Sequence, residues 1–238
     1  MSAVQQAAVV TGASSGIGVA VAEELSAMGF GLVLTARRED RLRELAGRCE
    51  NAAVVAGDIL DPDMPQRLID QAVASFGRCD VVVNNAGLIE AGTVEAIDLE
   101  RVCHMVRVNV EAAFRMAYVA LRHFKQTGAG YLINTSSVVG TKVRPTAGAY
   151  SGTKYAIEAL SEALRLELAG SGVRVCCIEP GLVMTELHAR WDVHPSQSMN
   201  IPRPLQAIDI ARCVRFVLEQ PDHVVIPRLM ALPSDQAL

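Results

Sequence analysis

The chain has 238 residues, half of them hydrophobic and 20% charged, and its 22 basic against 26 acidic side chains give a formal charge of −4. That apolar content offsets the entropy of ordering the chain, which excludes global disorder, and the length fits one domain spanning 1–238. Neither sign of charge forms a long block, so no nucleic-acid or anionic-membrane footprint is expected.

Residues 1–22 carry no charged side chain. Polar residues and Gly12, Gly16 and Gly18 interrupt the stretch and no basic segment precedes it, so it reads neither as a membrane span nor as a leader, and a cytoplasmic protein is expected. An apolar run at 7–11 leads through a glycine-rich turn into a helical pattern at 17–28. Strand-like runs at 31–36, 52–56 and 81–84 alternate with helical patterns at 38–48 and 64–76. A long helical stretch at 99–125 precedes a run at 131–135, a helix at 150–168, a run at 173–179, a helix at 207–219 and a last run at 224–226. Short Val- and Ile-rich runs separated by amphipathic helices predict an α/β fold, a three-layer, doubly wound parallel sheet.

The segment 182–204 has no period and follows the carboxyl end of a strand, the edge at which open α/β sheets bind ligands. It is expected to be a loop covering the substrate, with His188, Arg190, Trp191 and His194 as solvated side chains by default. The six cysteines include no CxxC pair. Adjacent Cys176 and Cys177 would face opposite sides of a strand, and buried free thiols are the expectation, with no metal site.

Three groups of residues carry chemistry. In TGASSGIG, 11–18, the glycines at 12, 16 and 18 let a strand turn tightly into a helix whose N-terminus accepts an anion, a pyrophosphate by preference. The same residues satisfy GxSxG, but a hydrolase elbow needs an oxyanion donor from a loop after an earlier strand, and only eleven residues and one strand precede Gly12. Where dinucleotide sites place an acid at the end of the second strand, this chain has Ala36, then Arg37 and Arg38. Two guanidiniums there attract a 2′-phosphate and favour NADP over NAD, the alternative being that they solvate the start of a helix. Finally, Tyr150 and Lys154 lie four residues apart on one helical face, where an ammonium favours the phenolate and suits the phenol to acid–base work. Ser136 and Ser137 close the preceding strand and offer a hydroxyl to the same substrate oxygen.

In order and separation, TGASSGIG, NNAG (84–87), the serine pair, Tyr150 with Lys154, and PGLVMT (180–185) resemble the short-chain dehydrogenase/reductase family over nearly the whole chain. The resemblance implies a Rossmann-type fold of seven parallel strands and an NADP(H)-dependent reductase of carbonyls or dehydrogenase of alcohols. It makes Tyr150 the acid–base, Lys154 the group that lowers its pKa and holds the nicotinamide ribose, Ser137 rather than Ser136 the substrate-oxygen ligand, and Asn109 the support of a relay water. Cofactor contacts are implied for Gly12, Ser14, Ser15, Gly16, Ile17 and Gly18 in the turn, and for Arg37 and Arg38. Asp58 with Ile59 would meet the adenine, and Asn84, Asn85, Ala86 and Gly87 the adenosine-ribose side. Pro180, Gly181, Val183 and Thr185 would meet the carboxamide. The tail VLEQPDHVVIPRL resembles members acting on small 3-hydroxy acids, although members sharing the catalytic residues act on many carbonyl classes. A homotetramer, or a dimer, built through the helices near 99–125 and 150–168 is implied as well. The alternative function is an NADPH-sensing regulator of the same fold.

Overall fold

The computed structural model describes residues 6–191 and 193–237. Nine strands form: β1 (Ala7–Thr11), β2 (Gly31–Ala36), β3 (Ala52–Ala56), β4 (Val81–Asn84), β5 (Gly130–Thr135), β6 (Val173–Pro180), β7 (Val183–Met184), β8 (Leu205–Gln206) and β9 (Arg228–Ala231). Seven make one sheet in the order β3-β2-β1-β4-β5-β6-β9, every neighbour parallel. The short β7 and β8 pair separately.

Because side chains alternate across a strand, each buried strand feeds both faces. In β1, Ala8 and Val10 join one core cluster and Val9 the other. The first face is covered by α1 (Gly16–Ala27), α2 (Glu39–Ala46) and α8 (Ala207–Leu218), through Leu25, Leu42 and Val214 among others. The second is covered by α3 (Met64–Phe76), α5 (Ala113–Thr127) and α6 (Gly148–Glu167), through Leu68, Phe124 and Leu164. The layering is the three-layer, doubly wound arrangement expected.

Four expectations need correction. The last strand lies at Arg228–Ala231, not at 224–226. Val224 closes a turn onto the Pro221 carbonyl, and the first ladder bond to β6 is the one the Pro227 carbonyl accepts from the Cys177 N–H at 2.9 Å, so pairing starts at Arg228. As an edge strand with alternate residues exposed, β9 lacks the continuous apolar signature of its neighbours. Second, the helical stretch at 99–125 comprises α4 (Leu99–Val106), a π-helical segment (Arg107–Ala112) and α5. Third, Asn84 turns inward: its amide donates to the Ala113 carbonyl at 2.9 Å and to Asn134 Oδ1 at 3.0 Å, so it ties two strands to the distorted helix rather than lining a ribose. Fourth, Cys49, Cys79, Cys176 and Cys177 are buried free thiols, but Cys103 is exposed and Cys213 half-buried.

Among the described residues no helix is long and apolar enough to cross a membrane. Phe124 is fully buried, its ring lying where a Cβ on Gly130 would stand. Phe124→Ala leaves a cavity that the rigid sheet cannot close, so urea unfolding should show a loss of about 3–5 kcal/mol with an unchanged m-value.

Candidate active site

The strand order reverses between β1 and β4, so their connections diverge and open a crevice at the carboxyl edge. Thr11 fastens that edge. Its hydroxyl accepts from the N–H groups of Asn85 and Ala86, both at 2.9 Å, while the Asn85 amide donates to the Thr11 carbonyl at 3.0 Å. Thr135 Oγ1 donates to Asn85 Oδ1 at 3.3 Å and joins β5 to the seam.

Above the seam, Gly12 and Gly16 are left-handed, with φ of +68° and +55°. A Cβ on Gly12 would stand 2.9 Å from the Ala86 Cα, and one on Gly16 would stand 3.0 Å from Thr185, while Gly18 packs against the Gly12 carbonyl. Ser15 caps α1 without a side-chain hydrogen bond, leaving first-turn N–H groups facing the crevice beside Ile17. This cradle, closed to any Cβ and lined by free donors, fits the pyrophosphate of a dinucleotide.

At the end of β2, Arg38 donates to Ser14 Oγ from Nε at 3.1 Å and from Nη2 at 3.0 Å. Its Nη1 reaches Glu186 at 2.8 Å, and Arg41 Nη1 reaches both oxygens of that carboxylate at 2.7 and 2.8 Å. Arg37 is exposed and makes no hydrogen bond or ion pair with another described residue. The guanidinium pair gathered at the crevice is therefore Arg38 with Arg41. Asp58, exposed at the end of β3, accepts from the Leu60 N–H in a local turn, with Ile59 half-buried beside it.

The structure brings Ser137, Tyr150 and Lys154 together. The Tyr150 phenol is hydrogen-bonded to Ser137, and burial pushes it up to about 12 against that bond. Ser137 also accepts from the Val139 N–H at 3.3 Å and donates to the Pro180 carbonyl at 3.4 Å. Ser136 is buried on the other side, against Gly140. Lys154 Nζ donates to the Thr135 carbonyl at 2.8 Å and lies 5.7 Å from the Tyr150 ring centroid. Burial pulls this ammonium down to about 8, opposed by Cys177 and Glu158. At the phenol desolvation outweighs the opposing Ser137 hydrogen bond.

Asn109 sits in the π-helical segment, where the wide turn aims its amide at the backbone of Leu88. It accepts from that residue's N–H and donates to its C=O, both at 2.8 Å, and donates to Thr153 Oγ1 at 3.2 Å. Thr153 in turn donates to the Tyr150 carbonyl at 2.7 Å. A Cβ on Gly87 would lie 3.4 Å from Asn109 Oδ1 and 3.8 Å from Lys154 Nζ, so these three residues adjoin. Behind Lys154, buried Glu158 and Glu179 share Arg228, whose Nε is 3.3 and 3.9 Å from their carboxylates. Burial and the neighbouring Glu158 push Glu179 up to about 6.

Leu88, Ile89, Val138, Ala149 and Leu232 form an apolar wall around Tyr150. Leu232 arrives from the C-terminal tail. The Gly181 N–H donates to the Ala231 carbonyl at 2.7 Å, and Leu182 donates to Gln236 Oε1 at 2.8 Å, fixing the turn between β6 and β7. Val183 is buried in β7, and Thr185 accepts from the Leu187 N–H at 3.3 Å. Among the described residues of 182–204 there is more regular structure than the sequence suggests: Leu205 donates to the Leu182 carbonyl, a 3-10 turn spans Glu186–His188 and α7 spans Pro195–Ser198. His188 is not solvated. It is 8% exposed, packed on Trp191 and His194 at ring separations of 5.0 and 5.5 Å.

Sequence reasoning missed Thr11, Arg41, Thr153, Glu186 and Gln236. Arg41 was detectable as the residue one helical turn beyond Arg38, whereas Gln236 had no sequence signal at all. Among the described residues no group of three or more His, Cys, Asp or Glu is placed to hold a metal.

Comparison with known proteins agrees with this geometry. A sequence profile of the short chain dehydrogenase family matches residues 6–195. An uncharacterized oxidoreductase of Staphylococcus saprophyticus is 33% identical over 237 residues, covering 97% of this chain and 96% of the relative. Among solved structures, an alcohol dehydrogenase from the archaeon Thermococcus sibiricus complexed with 5-hydroxy-NADP is 31% identical with a TM-score of 0.87 over 98% of both chains. The closed form of a serine dehydrogenase complexed with NADP+ is 27% identical with a TM-score of 0.91, over 98% of this chain and 97% of that one.

Burial, and secondarily His194, pulls His188 down to about 4, below its ordinary 6.5. Between these values the unfolded chain binds a proton that the folded chain refuses. The contribution of His188 is therefore complete above 6.5 and is lost as pH falls toward 4. His188→Leu should accordingly lose less of its melting temperature than the parent when acidified from pH ~7 to ~4.5.

Proposed function

The chain belongs to the short-chain dehydrogenase family, and on that premise we propose that this oxidoreductase transfers a hydride between NADP(H) and a small carbonyl or alcohol substrate, 3-hydroxy acids being the class to test first. The observation that carries the reading is the convergence of the Ser137 hydroxyl, the Tyr150 phenol and the Lys154 ammonium at one apolar-walled edge of the crevice.

NADPH, when bound, supplies the hydride. Ser137 and Tyr150 point two hydroxyls at one place, suited to a carbonyl oxygen that gains negative charge as it is reduced. Held up to about 12, Tyr150 keeps its proton at neutrality and can donate it to that oxygen. Lys154 then lies beside the phenolate left behind and offsets its charge. Asn109 and Thr153 hold the first turn of α6 against Leu88, which fixes where the phenol points. Leu88, Ile89, Val138 and Leu232 exclude water from the reacting atoms.

Gly12, Ser15, Gly16, Ile17 and Gly18 would hold the pyrophosphate, Asp58 and Ile59 the adenine, Asn85, Ala86 and Gly87 the ribose side, and Pro180, Gly181, Val183 and Thr185 the carboxamide. NADP over NAD is supported by Arg38, which holds Ser14, with Arg41 close behind it, by the absence of an acid at Ala36, and by NADP in the similar alcohol and serine dehydrogenases. The serine dehydrogenase likeness also supports the 3-hydroxy acid class. A homotetramer or dimer is supported by exposed apolar residues on the helices named above, Val106 on α4, Tyr118 on α5, and Tyr155 and Leu166 on α6.

Tyr150→Phe should lower turnover of any accepted carbonyl by about 10²–10⁴-fold while fluorescence titration gives an NADPH dissociation constant within about twofold of the parent. Retained turnover would refute the acid–base assignment. Because Lys154 titrates near about 8, kcat/KM for NADPH should fall above that pH as one proton is lost, and Lys154→Arg should remove this alkaline limb even where it lowers the plateau.

A further inference from the structure

We propose that the Glu186 carboxylate is a placeholder for the coenzyme's 2′-phosphate, so that arrival of the phosphate displaces Glu186 from Arg38 and Arg41 and frees the first turn of the segment that covers the substrate side. The inference rests on the NADP(H) reading given above and adds a specificity-determining residue to it.

Glu186 opens the 3-10 turn Glu186–His188, directly after Thr185 and about 145 residues downstream of the arginines it meets. Arg38 presents Nη1 to one of its oxygens while Nε and Nη2 hold Ser14, and Arg41 presents Nη1 to both oxygens. Both hydrogen-bonded guanidiniums hold the carboxyl below its ordinary range, so it is an anion at neutrality. Arg38 at the start of α2 and Arg41 in its first turn are thus already closed around an anion, and that anion comes from a distant part of the sequence. Glu39 and Asp40, nearer in sequence, do not fill this place: Glu39 pairs with Arg43 instead.

The side chains of Arg38, Arg41 and Glu186 are 41%, 42% and 52% exposed. Ion pairs this exposed hold weakly, since water screens them and three side chains must stay ordered to make them. A phosphate monoester carries up to twice the charge of a carboxylate and three acceptor oxygens, which match the guanidinium forks better. The phosphate therefore wins the arginines, and a coenzyme lacking it leaves Glu186 where it stands. Because a Cβ on Gly16 would lie only 3.0 Å from Thr185, the residue before Glu186 already touches the phosphate-binding turn. Occupancy at the adenosine end is in this way read by the backbone that leads into 186–204.

The test uses the full chain and two coenzyme fragments without nicotinamide, adenosine 2′,5′-bisphosphate and adenosine 5′-phosphate, titrated calorimetrically into the parent and into Glu186→Gln. Removing the competitor should lower the dissociation constant of the bisphosphate by about three- to tenfold and leave that of the 5′-phosphate unchanged. In parallel, tryptic cleavage after the exposed Arg190 should speed up when the bisphosphate is added to the parent, and be fast with or without it in the variant. Equal or weaker binding of the bisphosphate by Glu186→Gln, or cleavage of the parent that ignores the ligand, overturns the proposal. Failure of the folded parent to bind the bisphosphate overturns the NADP(H) reading itself, and the placeholder falls with it.

Discussion

The Thr11 hydroxyl takes two backbone N–H groups from the turn just beyond β4, and the Asn85 amide returns a bond to the Thr11 carbonyl. This seam fixes the separation of β1 and β4 at the point where the sheet changes winding direction. Parallel strands cannot be joined by tight turns, so every crossover must leave the carboxyl edge and come back at the amino edge. On either side of the seam the crossovers depart to opposite faces, and a crevice between them is unavoidable. The glycine turn follows β1, NNAG follows β4, the serine pair follows β5 and the PGLVMT turn closes β6. Their meeting is a consequence of topology, and each motif only has to end its own strand correctly.

The chemistry of the site is dominated by burial. A phenol and an ammonium four residues apart on an exposed helix would remain close to their solution behaviour. Here both are nearly inaccessible, and desolvation moves them apart in pH, the phenol up and the amine down. A buried ammonium is tolerated when its hydrogen bonds and its charge are both answered. The Thr135 carbonyl answers the first, and the Glu158 carboxylate, one helical turn on, contributes to the second. Glu158 and Glu179 would be poorly tolerated side by side without Arg228 at the sheet edge. The ionic groups thus extend from the crevice through α6 to β9, a polar path crossing an otherwise apolar layer.

What the sequence disclosed follows from what each signal measures. The strands β1, β2, β4, β5 and β6 were legible because both of their faces are buried, which writes long Val, Ile and Leu runs, and the half-buried edge strand β3 keeps an uninterrupted AAVVA. β9 was misplaced because an edge strand shows no such run, and the apolar residues before Pro227 imitated one. The π turn was invisible because 99–127 keeps a helical composition throughout; only Asn109, a residue with nothing to do on an ideal helix surface, hinted at it. Tyr150, Lys154 and the glycine turn stood out because their chemistry demands particular residue types at short spacing. Arg41 and Glu186 did not, since their pairing joins positions far apart in the chain, and Arg37 drew attention through proximity to Arg38 alone. His188 was misjudged for a related reason: burial of a loop residue depends on partners such as Trp191, which no local pattern reveals.

The tail beyond β9 folds back over the turn that joins β6 to β7, with Gln236 accepting from Leu182 and Asp235 paired with Arg203. The residues from Leu232 to Gln236 are consequently part of the wall of the crevice. A label attached at Asp235 would sit against that wall, whereas one attached just ahead of Ala7 would sit at the opposite, amino edge of the sheet. For anyone attaching an affinity handle or a fluorophore, the two positions are not equivalent.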